Sequence, residues 1–234
     1  MEPGHKVFDF VISSYAPTIS ILAPPPNQNT NSDDDFRLLV VPQPPSDGQT
    51  PLPGVHAELE YIRTVIDNCP SPTTLLEPPS GTVEDVLAQM KLAHWVHFAC
   101  HGVQDTANPT ESGLCLADRR RLKVSDIIGL SRPRGGLAFL SACQTATGDK
   151  ALADEAVHIA AGMLFAGYGG VVGTMWSIND RVAPLVARDV YEQLFRTGIP
   201  SCREAAGALH DAVGQLRKRG ARFVEWLPFI HVGL

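Results

Sequence analysis

The sequence predicts an α/β protein in which a mainly parallel central sheet carries helices on both faces. Three observations lead there. Short, mostly apolar runs at 94–99, 137–142 and 171–175 have the composition of strands buried on both sides. Segments with helical spacing lie between and after these runs. From residue 94 onward strand and helix alternate, which is the pattern of a layered α/β/α sandwich.

The first third of the chain is interrupted by proline-rich stretches at 24–35, 42–53 and 70–81. The polar stretch from Pro24 to Asp35 cannot bury enough apolar surface to order itself, so a flexible loop is expected there. Between the stretches, Leu38–Val41 reads as a short buried strand, and Val55–Ile66 as a helix with Leu59, Ile62 and Ile66 on one stripe. Thr82 is an N-cap, with Asp85 in the first turn of the helix that follows. Later helices are expected at Leu152–Ala166, Val182–Phe195 and Ser201–Leu216, the last capped by Ser201. Ala156–Trp176 lacks charged residues and is long enough to span a bilayer. However, Gly162, Gly167, Gly169, Gly170 and Gly173 divide it into helix, turn and strand, so it reads as buried core. No internal repeat is visible, and a single domain over 1–234 is expected.

Composition narrows the function. Hydrophobic residues make up 44% of the 234, enough for a real core. A formal net charge of -6 gives no reason to expect nucleic acid or an anionic membrane as partner. The start is polar up to Lys6 and Val7–Val11 is a short apolar run, so no signal peptide is expected. The five cysteines form an odd set without a CxxC pair, which predicts thiols in a reducing compartment, the cytoplasm, rather than a disulfide framework. No cysteine or histidine spacing matches a zinc site and no GxxxxGK[ST] occurs, so neither metal nor nucleotide cofactor is expected.

In an open parallel sheet, ligands gather at the carboxyl ends of the strands. The first apolar run leads into Cys100-His101-Gly102, and the second into Cys143-Gln144-Thr145. If these strands are parallel neighbours, His101 and Cys143 emerge side by side, as thiol catalysis requires. An adjacent imidazolium lowers a thiol pKa from about 8.5 to about 3.5–7.5, and the same histidine can then protonate a leaving amine. The amides of Gly102 and Cys143 are placed in sequence to bind an oxyanion. A core histidine and a buried strand thiol would look alike on these grounds. Cys100 should point away from His101 and pack beneath the site, and His94 and His97 fall on opposite strand faces. His158 reads as core, and Asp154 and Glu155 as acids at a helix start or at a cleft border. Arg119-Arg120-Arg121 reads as a solvated turn, or as a self-cleavage site if a basic residue is accepted.

These segments resemble a known family. His97-Phe98-Ala99-Cys100-His101-Gly102 is similar to the histidine motif of CHAT domains, and Leu140-Ser141-Ala142-Cys143-Gln144-Thr145, followed by Gly148, to their cysteine motif. Ser112–Asp118, Leu122–Ile127, Asp154–Ala156, Ala166-Gly167, Val171–Asp180 and Trp226–Gly233 match in order and spacing. The resemblance runs from about Phe36 to Gly233 and includes Ser13–Thr18. It implies a caspase-like fold related to separases, a His101–Cys143 dyad without metal or cofactor, and peptide-bond hydrolysis. By position it also implies that Asp180, with Ser177 nearby, faces a basic substrate side chain, although a separase-like acid directly after the tryptophan is Ser177 here. Family members are often attached to helical repeats that act as sensors, so the expected partners are a protein or peptide substrate and such a sensor. The expectation is therefore a cysteine endopeptidase. A catalytically silent interaction scaffold of the same fold is the alternative, and a hydrolase of non-peptide acyl groups a third possibility.

Overall fold

Alternation of apolar side chains along the central strands sends neighbouring residues to opposite faces, so each strand feeds two cores. The computed structural model describes residues 6–22, 35–42, 52–103, 105, 107–130, 135–141, 143–144, 156–176, 178–198 and 200–234, with backbone alone at 22, 143–144 and 156–158. In chain order its elements are β1 (Phe36–Pro42), α1 (Gly54–Asp67), β2 (Thr73–Leu76), α2 (Val83–Leu92), β3 (Trp95–Ala99), β4 (His101–Val103), β5 (Gly113–Cys115), β6 (Arg121–Lys123) and α3 (Val124–Ile128). There follow β7 (Leu137–Leu140), β8 (Cys143–Gln144), α4 (Ala156–Phe165), β9 (Gly170–Thr174), α5 (Ala183–Phe195), α6 (Ala205–Lys218), α7 (Phe223–Trp226) and β10 (Phe229–Gly233).

Six strands form the main sheet in the order β10-β9-β7-β3-β1-β2. Every pairing in it is parallel except that of β10 with β9. One face buries Leu39, Val41, Val96, Phe98, Ala138 and Leu140 against α2, α3 and α4. The other buries Leu38, Val40, Trp95, Leu137 and Phe139 against α1, α5 and α6. This is the three-layer α/β/α sandwich. A second sheet, β6-β5-β4-β8, sits beyond the ends of β3 and β7.

Local signals explain most boundaries. Thr82 Oγ1 accepts from the Asp85 amide at 3.2 Å and opens α2. Gly167 takes φ 109° to turn α4 into β9, which splits the uncharged stretch as its glycines predict. No helix among the described residues is long and apolar enough to cross a membrane. Ser201 caps a single 3₁₀ turn, Cys202–Glu204, before α6 begins at Ala205.

Two strands depart from the expectation. β2 lies inside the third proline-rich stretch, where Thr73–Leu76 pairs with β1 at the sheet edge; the prolines that flank it are tolerated there. β10 runs antiparallel at the opposite edge, and Tyr15 bridges to Val232 along its outer side. The stretch 23–34, Asp154 and Glu155 lie outside the described residues, as does the side chain of His158.

Candidate active site

β3 and β7 are parallel neighbours, with Val96, His97 and Phe98 opposite Ala138, Phe139 and Leu140. They leave the main sheet at adjacent levels, and each chain then enters the smaller sheet. There His101 of β4 and Cys143 of β8 are register partners across a parallel pair, followed by Gly102 opposite Gln144. Adjacent strands stand about 4.8 Å apart, so the pairing sets the two backbones at that separation. His101 is buried. Gly102 is also buried, and its strand is closed on the far side by antiparallel pairing with β5. Gly113 allows β5 in turn to lie close against β6, because a Cβ there would collide with the Leu122 carbonyl.

A buried polar chain lies under these strand ends. Ser141, two positions before Cys143, donates its hydroxyl proton to Glu58 Oε2 at 3.0 Å. Glu58 Oε1 lies 3.3 Å from His97 Nε2, and His97 Nδ1 lies 3.1 Å from the Tyr191 hydroxyl. All four residues are buried, and the His97 ring stacks on Phe139. Burial, with the Glu58 carboxylate as a second cause, pushes the Tyr191 phenol well above its ordinary range. Sequence reasoning missed Glu58, although its place in the buried stripe of α1, between Val55 and Ile62, is a readable signal.

Asp180 lies in the turn after β9. Its carboxylate accepts the Gly54 amide at 2.5 Å, at the N-terminus of α1. That helix follows Pro53 with no side-chain cap of its own, so Asp180 supplies one from a distant segment, where the helix dipole favours negative charge. Ser177 lies outside the described residues.

Cys100 is fully buried among Leu39, Val41 and Phe98, as expected of a packing residue. His94 stacks on Phe36 and accepts the Arg37 amide through Nδ1, apart from the His97 chain. The arginine turn is firmly held: Arg119 takes φ 62°, Arg120 is paired with Asp118 and Glu84, and Arg121 belongs to β6 and donates to the Glu111 carbonyl. A cavity of about 290 Å³ opens elsewhere, at the β10 edge, between Phe8, Tyr15, Leu209, Trp226 and His231.

The CHAT domain family model matches residues 8–234. The chain belongs to the CHAT domain family. Among solved structures, this CHAT domain is similar to the separase–securin complex of Saccharomyces cerevisiae, with a TM-score of 0.54 and 14% identity over 86% of this chain and 12% of that one. It is also similar to the complex of Porphyromonas gingivalis RgpB pro- and mature domains, with a TM-score of 0.50 and 11% identity over 85% of this chain and 47% of that one. The CHAT domain thus spans about an eighth of the separase-complex chain it matches, and at these identities the likeness concerns the fold, which is caspase-like. No curated protein matches the sequence.

Proposed function

We propose that this CHAT domain is a cysteine endopeptidase. Cys143 attacks the scissile carbonyl while its thiol proton passes to His101, giving a tetrahedral intermediate. His101 returns that proton to the leaving amine as the C–N bond breaks, which leaves a thioester on Cys143. Water, deprotonated by His101, then releases the acid and restores the thiol. The amides of Gly102 and Cys143 hold the oxyanion. The observation that carries the reading is the register pairing of His101 with Cys143, at the ends of two adjacent strands.

In the same reading Asp180, with Ser177, receives a basic substrate side chain. Its present engagement with Gly54 means that it would be shared between helix and substrate. A helical-repeat sensor domain or protein controls the site. We place the protein in the cytoplasm, because its five cysteines form an odd set without a CxxC pair, which suits a reducing compartment.

The test is cleavage of a peptide pool varied at the residue before the scissile bond, by the native chain, Cys143→Ala and His101→Ala. Loss of cleavage in both variants is expected, and a preference for arginine or lysine would bring Asp180 into the pocket. Cleavage that survives Cys143→Ala refutes the mechanism. A native chain that cleaves nothing, with Cys143 no more reactive than an ordinary thiol, would point to an interaction scaffold.

A further inference from the structure

We propose that Glu58 is a positioning residue for the nucleophile, acting through Ser141; this rests on the reading of His101 and Cys143 as a catalytic pair. Glu58 joins two strand ends that must agree. One of its oxygens takes the Ser141 hydroxyl, two positions before Cys143, and the other faces His97, four positions before His101. His97 is in turn held by the Tyr191 hydroxyl and by stacking on Phe139. The carboxylate on α1 thereby holds the end of β7 by a hydrogen bond and stands 3.3 Å from His97 of β3, which is itself bonded to Tyr191 of α5.

Stability alone gives no reason to keep a carboxylate there. Buried ionic clusters are often no more stabilising than apolar residues of similar volume, because desolvation offsets the attraction. What such a cluster supplies is a fixed geometry wherever its hydrogen bonds are made, and here Glu58 Oε2 is bonded to Ser141 while Oε1 and His97 Nε2 have no hydrogen-bond partner among the described residues. Geometry is what β8 needs, since it is only two residues long and its register is pinned to β4 by two pairs. The Ser141–Glu58 bond anchors the chain just before this short pairing. Small misplacements of reacting groups are costly, and about 1 Å can remove about a hundredfold in rate.

The experiment measures alkylation of Cys143 by iodoacetamide across pH, read by mass spectrometry of the peptide that contains it. The native chain is compared with Ser141→Ala, Glu58→Leu, Glu58→Gln and His101→Ala, and thermal unfolding of each is recorded. Ser141→Ala and Glu58→Leu are expected to alkylate about tenfold more slowly at neutral pH. The apparent pKa of Cys143 should move toward the value of about 8.5 of an unassisted thiol, while unfolding stays cooperative. Glu58→Gln keeps an oxygen for Ser141 and should retain most of the native reactivity, whereas a requirement for bulk packing alone would leave Glu58→Leu near native as well. If Glu58→Leu fails to fold, Ser141→Ala decides. Native rate and pKa in a folded Ser141→Ala would overturn the positioning role and leave the catalytic pair standing. A native Cys143 that is ordinary in reactivity and indifferent to His101→Ala would overturn both.

Discussion

Lowering the pH from about 7 to about 5 should weaken this fold through His231. The residue lies on β10, is 1% exposed, and its Nδ1 is 2.8 Å from Ser14 Oγ. That hydroxyl donates its own proton to the Gly233 carbonyl, also at 2.8 Å, so Nδ1 carries the proton that Ser14 accepts. The other nitrogen, Nε2, has no hydrogen-bond partner among the described residues and faces Gly170, where a Cβ would lie only 2.8 Å away. A second proton would be buried there without an acceptor, and desolvation lowers the pKa of the ring from 6.5 to about 4. Between those values the unfolded chain binds a proton that the native one refuses, so stability falls as pH falls, and this contribution levels off below about pH 4. At about 1.4 kcal/mol per pH unit the whole window is worth about 3 kcal/mol, of which about 2 kcal/mol is lost by about pH 5. Urea unfolding of the native chain and His231→Asn at the two pH values isolates the term, since asparagine can still donate to Ser14 but does not titrate. The native chain should lose about 2 kcal/mol more than the variant. Equal losses in both proteins would refute the assignment.

Other predictions concern packing and the site. Asp180→Ala should cost about 1 kcal/mol in urea unfolding, because α1 loses the carboxylate that caps it; a change in cleavage preference on top of that loss would mark a substrate role as well. Phe195→Ala should cost about 3–5 kcal/mol, since its buried ring packs edge-on against Phe36 and Trp95 at 5.6 and 5.7 Å between centroids. Prolonged incubation of the protein should yield no new N-terminus after Arg119, Arg120 or Arg121, because the turn is held by φ 62° at Arg119 and by the pairs of Arg120 rather than offered as an extended strand. N-terminal sequencing checks this, and a fragment starting there would count against it.

The layered fold was legible because its strands and helices carry period-two and helical patterns that burial enforces at the same residues, as at 95–99 and 183–195. β2 was not, since four residues between prolines carry too little pattern and are specified by pairing with β1. The meeting of His101 and Cys143 was legible as two strand ends, but its register depends on β4 and β8, which are too short to announce themselves. Glu58 could have been noticed as a carboxylate in a buried stripe, but which distant residue meets which left no trace. Nothing near Pro53 says that α1 will be capped from Asp180, and nothing in the cysteine motif says that its serine will meet a carboxylate from α1.

Because His101 and Cys143 are aligned by a strand pairing, errors in that alignment come in steps. Sliding β8 by one residue along β4 displaces the chain by about 3.3 Å and exchanges the faces of its side chains. That step would set Gln144, or the residue before Cys143, opposite His101. Intermediate offsets have no hydrogen-bonded ladder to hold them, so the pair is either in frame or out of it. One such step would change which residue of β8 stands opposite His101 in the smaller sheet, to which β8 belongs.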